Sequence, residues 1–270
     1  SDILPSHARA IGVYVVPNRI VLDGRRLRDG IDITASQFYA HLARARSAPS
    51  SEPASPTDLY NTYLAAFHDG ATAIVSIHVS SRFSRVVQHA VAARDALAPA
   101  PIDVIDSLQL GIGMWPAVIE AAHLASLGAP AQYVHERALA LLARTQAFVL
   151  VESLEPLRRS GRINRVQGIV GTLIDAHPIL TLDRGEARLV ETVRSRRRAV
   201  LRLGELVQGW ARAAGGIETL LVCGTSIEAI AEMEMLLAEH YTGAMRKTWL
   251  GPAIGANLGP AVAVAVVAPT

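Results

Sequence analysis

Hydroxyls gathered at chain turns are the residues of this sequence best placed to do chemistry. Ser80, Ser81 and Ser84 fall within five positions, directly after the β-branched apolar run at residues 71–79. A strand that hands over to a helix leaves free N–H groups at the helix start, and parallel sheets bind ligands at that carboxyl end. N–H groups with hydroxyls beside them suit a carboxylate or a phosphate. The plain alternative is that Ser81 only caps the following helix. Ser50 and Ser51 form a second cluster, just ahead of a well specified helix start. There Ser55 serves as N-cap, Pro56 fits the first helical position, and Asp58 lies in the first turn, where the helix dipole favours an anion. His78 and His89 flank the Ser-rich turn. A serine-dependent hydrolase of acyl esters, with Ser84 or Ser81 as nucleophile, is therefore the enzymatic alternative.

Other chemistry is poorly represented. The sequence holds no GxSxG elbow, no GxxxxGK(S/T) loop and no HExxH pair. Gly111 and Gly113 are followed by Met-Trp-Pro, so a dinucleotide fingerprint fails. The nine histidines are scattered and the carboxylates single out no acid–base pair. Cys223 stands alone, which excludes a disulfide scaffold and a multi-thiolate zinc site. It reads as a small buried hydrophobe. So few catalytic signatures favour a binder over an enzyme, with no metal and no cofactor.

The elements that must position these residues alternate. Residues 71–79 read as a strand, 83–97 as a helix, 102–105 as a strand and the following Ala-rich stretch as a helix ending near Gly128. Residues 147–151 are a third strand, followed by a helix over 154–159. Residues 177–182 and 187–193 flank Asp183-Arg184-Gly185-Glu186 and predict a β-hairpin. A helix at 196–213, a strand at 219–223, a helix at 226–241 and two terminal strands complete the chain. Residues 47–56 read as an exposed loop. The pattern predicts an α/β fold of two α/β domains, 1–146 and 147–270. The first has a mostly parallel sheet flanked by helices, and the second a mixed sheet with helices.

Half of the 270 residues are hydrophobic and 19% are charged, enough for a sizeable core. A net charge of +2 argues against a dedicated nucleic-acid binder. The basic run at residues 194–198 reads as a solvated face or as a docking surface for an acidic partner. No apolar run reaches the ~18 residues of a membrane span. Residues 1–11 lack the basic start and apolar core of a signal peptide, so a cytoplasmic location is expected.

Four segments together resemble the DegV family, the fatty-acid-binding proteins that serve the bacterial fatty acid kinase. Residues 49–56 stand where that family has a Thr-Ser-Gln-Pro-Ser-Pro loop, and residues 80–84 where it has Ser-Ser-x-Leu-Ser-Gly-Thr. Asp106-Ser107, with Gly111 and Gly113 beyond, looks like its Asp-Ser/Thr turn. Residues 154–163, ending Gly161-Arg162-Ile163, look like its Leu-x-x-Leu-x-x-Gly-Gly-Arg-Ile helix end. The resemblance implies a long-chain fatty acid as ligand, held by the loop and turn hydroxyls. It further implies a separate kinase as partner, to which the acyl carboxylate is presented for phosphorylation.

Carried onto this chain, Ser51, Ser84, Ser81, Ser80 and Asn257 would hold the carboxylate. Arg162 and Arg85 would be outer or partner-facing cations. Asn257 replaces the family's histidine, and Glu52 brings an acid beside Ser51, expected to face solvent. The family has completed a first strand before the point where Ser1-Asp2-Ile3 aligns, so that strand is expected to be missing here. A diverged member that has lost lipid binding is a further alternative.

Overall fold

The computed structural model describes residues 3, 5–45, 47–169 and 176–270. The strands, in chain order, are β1 (Arg19–Leu22), β2 (Arg25–Arg28), β3 (Ser50–Glu52), β4 (Ile74–His78), β5 (Ile102–Asp106) and β6 (Thr145–Val151). They continue with β7 (Val166–Gln167), β8 (His177–Asp183), β9 (Glu186–Val193), β10 (Thr219–Gly224), β11 (Met245–Trp249) and β12 (Ala261–Val267). Three sheets result, ordered β2-β1-β3, β4-β5 and β11-β10-β12-β6-β8-β9-β7.

The α/β architecture with a parallel pair early in the chain and a large mixed sheet later is as expected. β4 and β5 are parallel, as the intervening helix Val86–Ala96 requires. In the seven-stranded sheet only β10–β11 and β7–β9 are parallel. β12 enters between β10 and β6 and runs against both, which makes the centre of that sheet antiparallel. The expected boundary after residue 146 falls inside β6, whose first residue is Thr145.

Alternation along β12 sorts its side chains between two cores, one on each face of the sheet. Val262, Val264 and Val266 pack with Leu203, Val207 and Met233 of the helices Arg196–Ala213 and Ile227–Ala238. Ala261, Ala263 and Ala265 face the other way, towards Phe83, Ile112, Trp115 and Leu157. Period-2 alternation sends successive side chains to opposite faces, so the small residues all fall on one side and leave room there.

Several elements are absent from the sequence reading, among them β1, β2 and the helices Ala35–Leu42 and Ala131–Ala143. Part of the loop at 47–56 is the short strand β3, paired antiparallel to β1 with Ser51 opposite Ile20. A seven-residue helix, Pro252–Leu258, precedes β12 and packs against β3. Among the described residues no strand precedes Arg19, and β4 has β5 as its sole strand neighbour. An open cleft beside β4 is lined by residues 13–16 and by residues of 114–134. Residues 1, 2 and 4 lie outside the described residues, so the chain's first positions bear no further on the missing-strand expectation.

The helix start read from Ser55, Pro56 and Asp58 is present as a capping box on the helix Pro56–His68. Asp58 does more than cap: Arg19 on β1 grips its two oxygens at 2.6 and 3.0 Å. Helix, β1 and hence β3 are tied at one point. The Arg19 guanidinium, with Ser55 helping, holds the Asp58 carboxyl well below the usual carboxylate range. A depressed carboxylate contributes stability above its unfolded pKa of ~3.9, and that contribution is lost as the pH falls below it. Asp58→Asn should therefore lower the urea midpoint at pH 7, and the gap to wild type should narrow below pH ~4. A gap independent of pH would exclude this ion pair as its cause.

Candidate functional site

A cavity of about 1090 Å³, mouth included, lies on the alanine side of the large sheet. Its walls come from β6, β8, β9 and β12, from residues 110–112, and from the helix Pro252–Leu258. Most lining side chains are apolar, among them Phe83, Ile112, Leu157, Leu180, Leu250 and Ile254. Such a lining with a few polar groups is the usual form of a small-molecule site. The polar lining residues include Ser51, Ser84, Arg162 and Asn257.

Each of these four is delivered by local structure. β3 carries Ser51. Asn257, on the helix Pro252–Leu258, is 9% exposed and donates from Nδ2 to Ser51 Oγ at 2.8 Å and to the Ala253 carbonyl at 2.7 Å. Both its amide protons are thus used, and its Oδ1 is buried without a partner among the described residues. Because Ser51 Oγ already accepts, its own proton is free to be donated elsewhere. Ser84 is in the same condition: its Oγ accepts from the Val86 N–H at 3.2 Å, at the start of the helix Val86–Ala96.

Arg162 leaves the end of the helix Glu155–Arg159 through a Schellman motif. The Arg162 N–H reaches back to the Leu157 carbonyl and the Gly161 N–H to that of Arg158, with Gly161 at φ +70°. Its guanidinium donates to the Ser160 carbonyl at 3.1 Å and has no carboxylate partner among the described residues. Burial, with Arg165 nearby, pulls its pKa below the usual arginine value. An unpaired, partly desolvated cation on an apolar cavity favours an anionic ligand.

Ser80 and Ser81, expected at the carboxylate, are not brought to the cavity, and neither is Arg85, expected as an outer or partner-facing cation. Ser80 is fully buried, with its hydroxyl donated to the Gly185 carbonyl at 2.8 Å. The Ser81 N–H donates to Asp106 Oδ1 at 3.2 Å, and Ser81 lies outside the lining. Arg85 is exposed at the helix start. Glu52 borders the cavity, but its carboxylate is turned to Arg26 at 2.9 Å. Of the basic run at 194–198, Arg196 is held by Glu152 and Glu232.

The two histidines of the hydrolase alternative are engaged away from Ser84. His78 Nε2 lies 2.7 Å from Ser76 Oγ, and burial pushes its imidazole down to about 4. His89 Nδ1 lies 2.7 Å from the Ala54 carbonyl. Among the described residues no group of three or more His, Cys, Asp or Glu could hold a metal ion.

A model of the DegV family, described as uncharacterised proteins of that family, matches residues 1–269. The chain belongs to the DegV family. A DegV domain-containing protein of Caldanaerobacter subterraneus is 30% identical over 264 residues, covering 96% of this chain and 92% of the relative. Among solved structures, a fatty-acid-binding DegV family protein from Thermus thermophilus superimposes with a TM-score of 0.87 at 24% identity. That match covers 99% of this chain and 96% of the other. A stearic acid-binding protein from Eubacterium ventriosum gives 0.89 at 19% identity, covering 99% and 95%. At these identities the DegV structures establish a shared fold. Among the described residues no helix is long and apolar enough to cross a membrane.

Proposed function

We propose that this DegV family protein binds one long-chain fatty acid, its carboxylate at Ser51, Ser84 and Arg162 and its acyl chain in the apolar cavity. The observation that carries the reading is the pairing of two hydroxyls, each with its proton free, with an uncompensated guanidinium on a mostly apolar chamber. A carboxylate accepts from all three. Each buried methylene of the tail contributes ~0.8 kcal/mol, so ten supply ~8 kcal/mol. Asn257 acts through Ser51, fixing which way that hydroxyl points. The binding of fatty acids by proteins of the same fold supports the reading. We further infer a cytoplasmic carrier without catalysis of its own, presenting the carboxylate to a separate kinase. The engagement of His78 and His89 elsewhere disfavours the hydrolase alternative.

Organic extraction of purified protein followed by mass spectrometry should release about one long-chain fatty acid per chain. In titrations with palmitate, Ser51→Ala and Ser84→Ala should each raise Kd about tenfold, as loss of a hydrogen bond to a charged group costs ~1.5–3 kcal/mol. Ser226→Ala is the control, because Ser226 caps the distant helix Ile227–Ala238. An empty extract together with no uptake of palmitate would remove the reading. Wild-type affinity in both serine variants would move the head group elsewhere.

A further inference from the structure

Ser80 lies outside the cavity lining, yet it ties two distant segments to its own turn. Its N–H donates to the Gln109 carbonyl at 2.9 Å, and its hydroxyl donates to the Gly185 carbonyl. The same Oγ accepts from the Arg82 N–H at 3.2 Å, and the Ser80 carbonyl accepts from the N–H groups of Phe83 and Ser84 at 3.0 and 3.2 Å. One residue therefore joins the tip of the β8–β9 hairpin to the turn that carries Ser84.

The hairpin side of this contact is equally specific. Arg184 and Gly185 have φ of +47° and +84°, the left-handed pair of a two-residue hairpin turn. A Cβ at Gly185 would stand 2.8 Å from Ser80 Oγ and 2.9 Å from Leu108 Cδ2, so the position needs glycine for both conformation and space. The same hairpin supplies Leu180, Leu182 and Ala187 to the cavity wall. Arg165, which follows Arg162 by three residues, donates to the Arg82 carbonyl across the same seam.

We propose that Ser80 and Gly185 form a lock that positions Ser84, so that the head-group site is complete only when the hairpin tip is seated on the turn. Ser80 is a positioning residue and touches no ligand. The inference rests on the fatty-acid reading above and adds the residue pair that holds its head-group serine ready. Preorganised donors bind more tightly because less ordering remains to be done when the ligand arrives.

The test is a cycle of variants titrated with palmitate by calorimetry: wild type, Ser80→Ala, Ser84→Ala and the double variant, with Gly185→Ala made alone and with Ser84→Ala. Folding of each is checked by its urea midpoint. Ser80→Ala and Gly185→Ala should each raise Kd about tenfold in the wild-type background. Neither should raise it further once Ser84 is alanine, because the hydroxyl they position is gone. A merely structural contribution would instead add equally in both backgrounds. Since Gly185→Ala opens the lock from the opposite side, it decides the matter even if Ser80→Ala does not fold. Wild-type affinity in the folded lock variants, or full additivity with Ser84→Ala, would overturn the lock and leave the fatty-acid reading standing. Failure of wild type to bind palmitate would overturn both.

Discussion

Replacing Ala187 by phenylalanine should abolish fatty-acid uptake in a protein that still folds. Ala187 is 6% exposed, sits on β9, and faces the cavity beside Leu182 and Val166. A benzyl group there projects into space that the proposed acyl chain would fill. The ring meets an open chamber rather than a packed layer, so the cost to folding stays at or below the ~1–3 kcal/mol of ordinary overpacking. Displacing five methylenes forfeits ~4 kcal/mol of transfer free energy, close to a thousandfold in Kd. Lipid extraction and palmitate titration read the loss, and the thermal midpoint verifies the fold. Wild-type lipid content in Ala187→Phe would mean that the tail runs elsewhere.

The second expected result is a variant that binds worse and is no less stable. Arg162→Ala removes a guanidinium whose desolvation is offset by no carboxylate among the described residues. Deleting it should leave the midpoint of the ligand-free protein unchanged or raised, because removing an uncompensated, partly buried charge relieves its desolvation. Affinity for palmitate should fall roughly ten- to a hundredfold, from loss of charge-assisted hydrogen bonds worth ~1.5–3 kcal/mol. The rise in midpoint on adding palmitate should shrink accordingly. Arg162→Lys should recover part of the affinity, since it keeps the charge but not the planar fork. A large drop in the ligand-free midpoint with unchanged affinity would make Arg162 a structural residue.

An Arg162 variant that binds worse without losing stability would separate the proposed site from the framework around it. Asp58 and Arg19 are satisfied by each other at 2.6 Å and tie β1 to a helix. Arg162, Ser51 and Ser84 each keep a donor in reserve. Incompletely satisfied groups on a satisfied scaffold are what a ligand is expected to complete.

Much of this organisation was legible in the chain itself. The helix Arg196–Ala213 and the β8–β9 hairpin come from signals that are local: helical periodicity, and an Arg-Gly turn between β-branched runs. The Ser55 cap is as local, with donor and acceptor three residues apart. The three-stranded sheet is not legible in the sequence because its strands are three or four residues long, and β2 is arginine at three of its four positions. So short a strand has too few alternations to reveal a buried face. The helix Pro252–Leu258, with Gly255 in its middle, is hidden for a similar reason.

What residue types and spacing determined by themselves was the class of fold, the turns where hydroxyls concentrate and, through the resemblance, the family. Which of those hydroxyls face the cavity was decided only by the tertiary structure. Ser80 and Ser84 are equivalent as residues in one short turn, yet one is consumed by a carbonyl 105 positions away and the other opens onto the cavity. Ser51 is oriented by Asn257 from 206 positions away, and the cavity exists because the alanines of β12 face a wall built from distant segments. A hydroxyl's partner depends on which groups packing brings within about 3 Å. That distance is set by how whole elements dock, which no local pattern encodes.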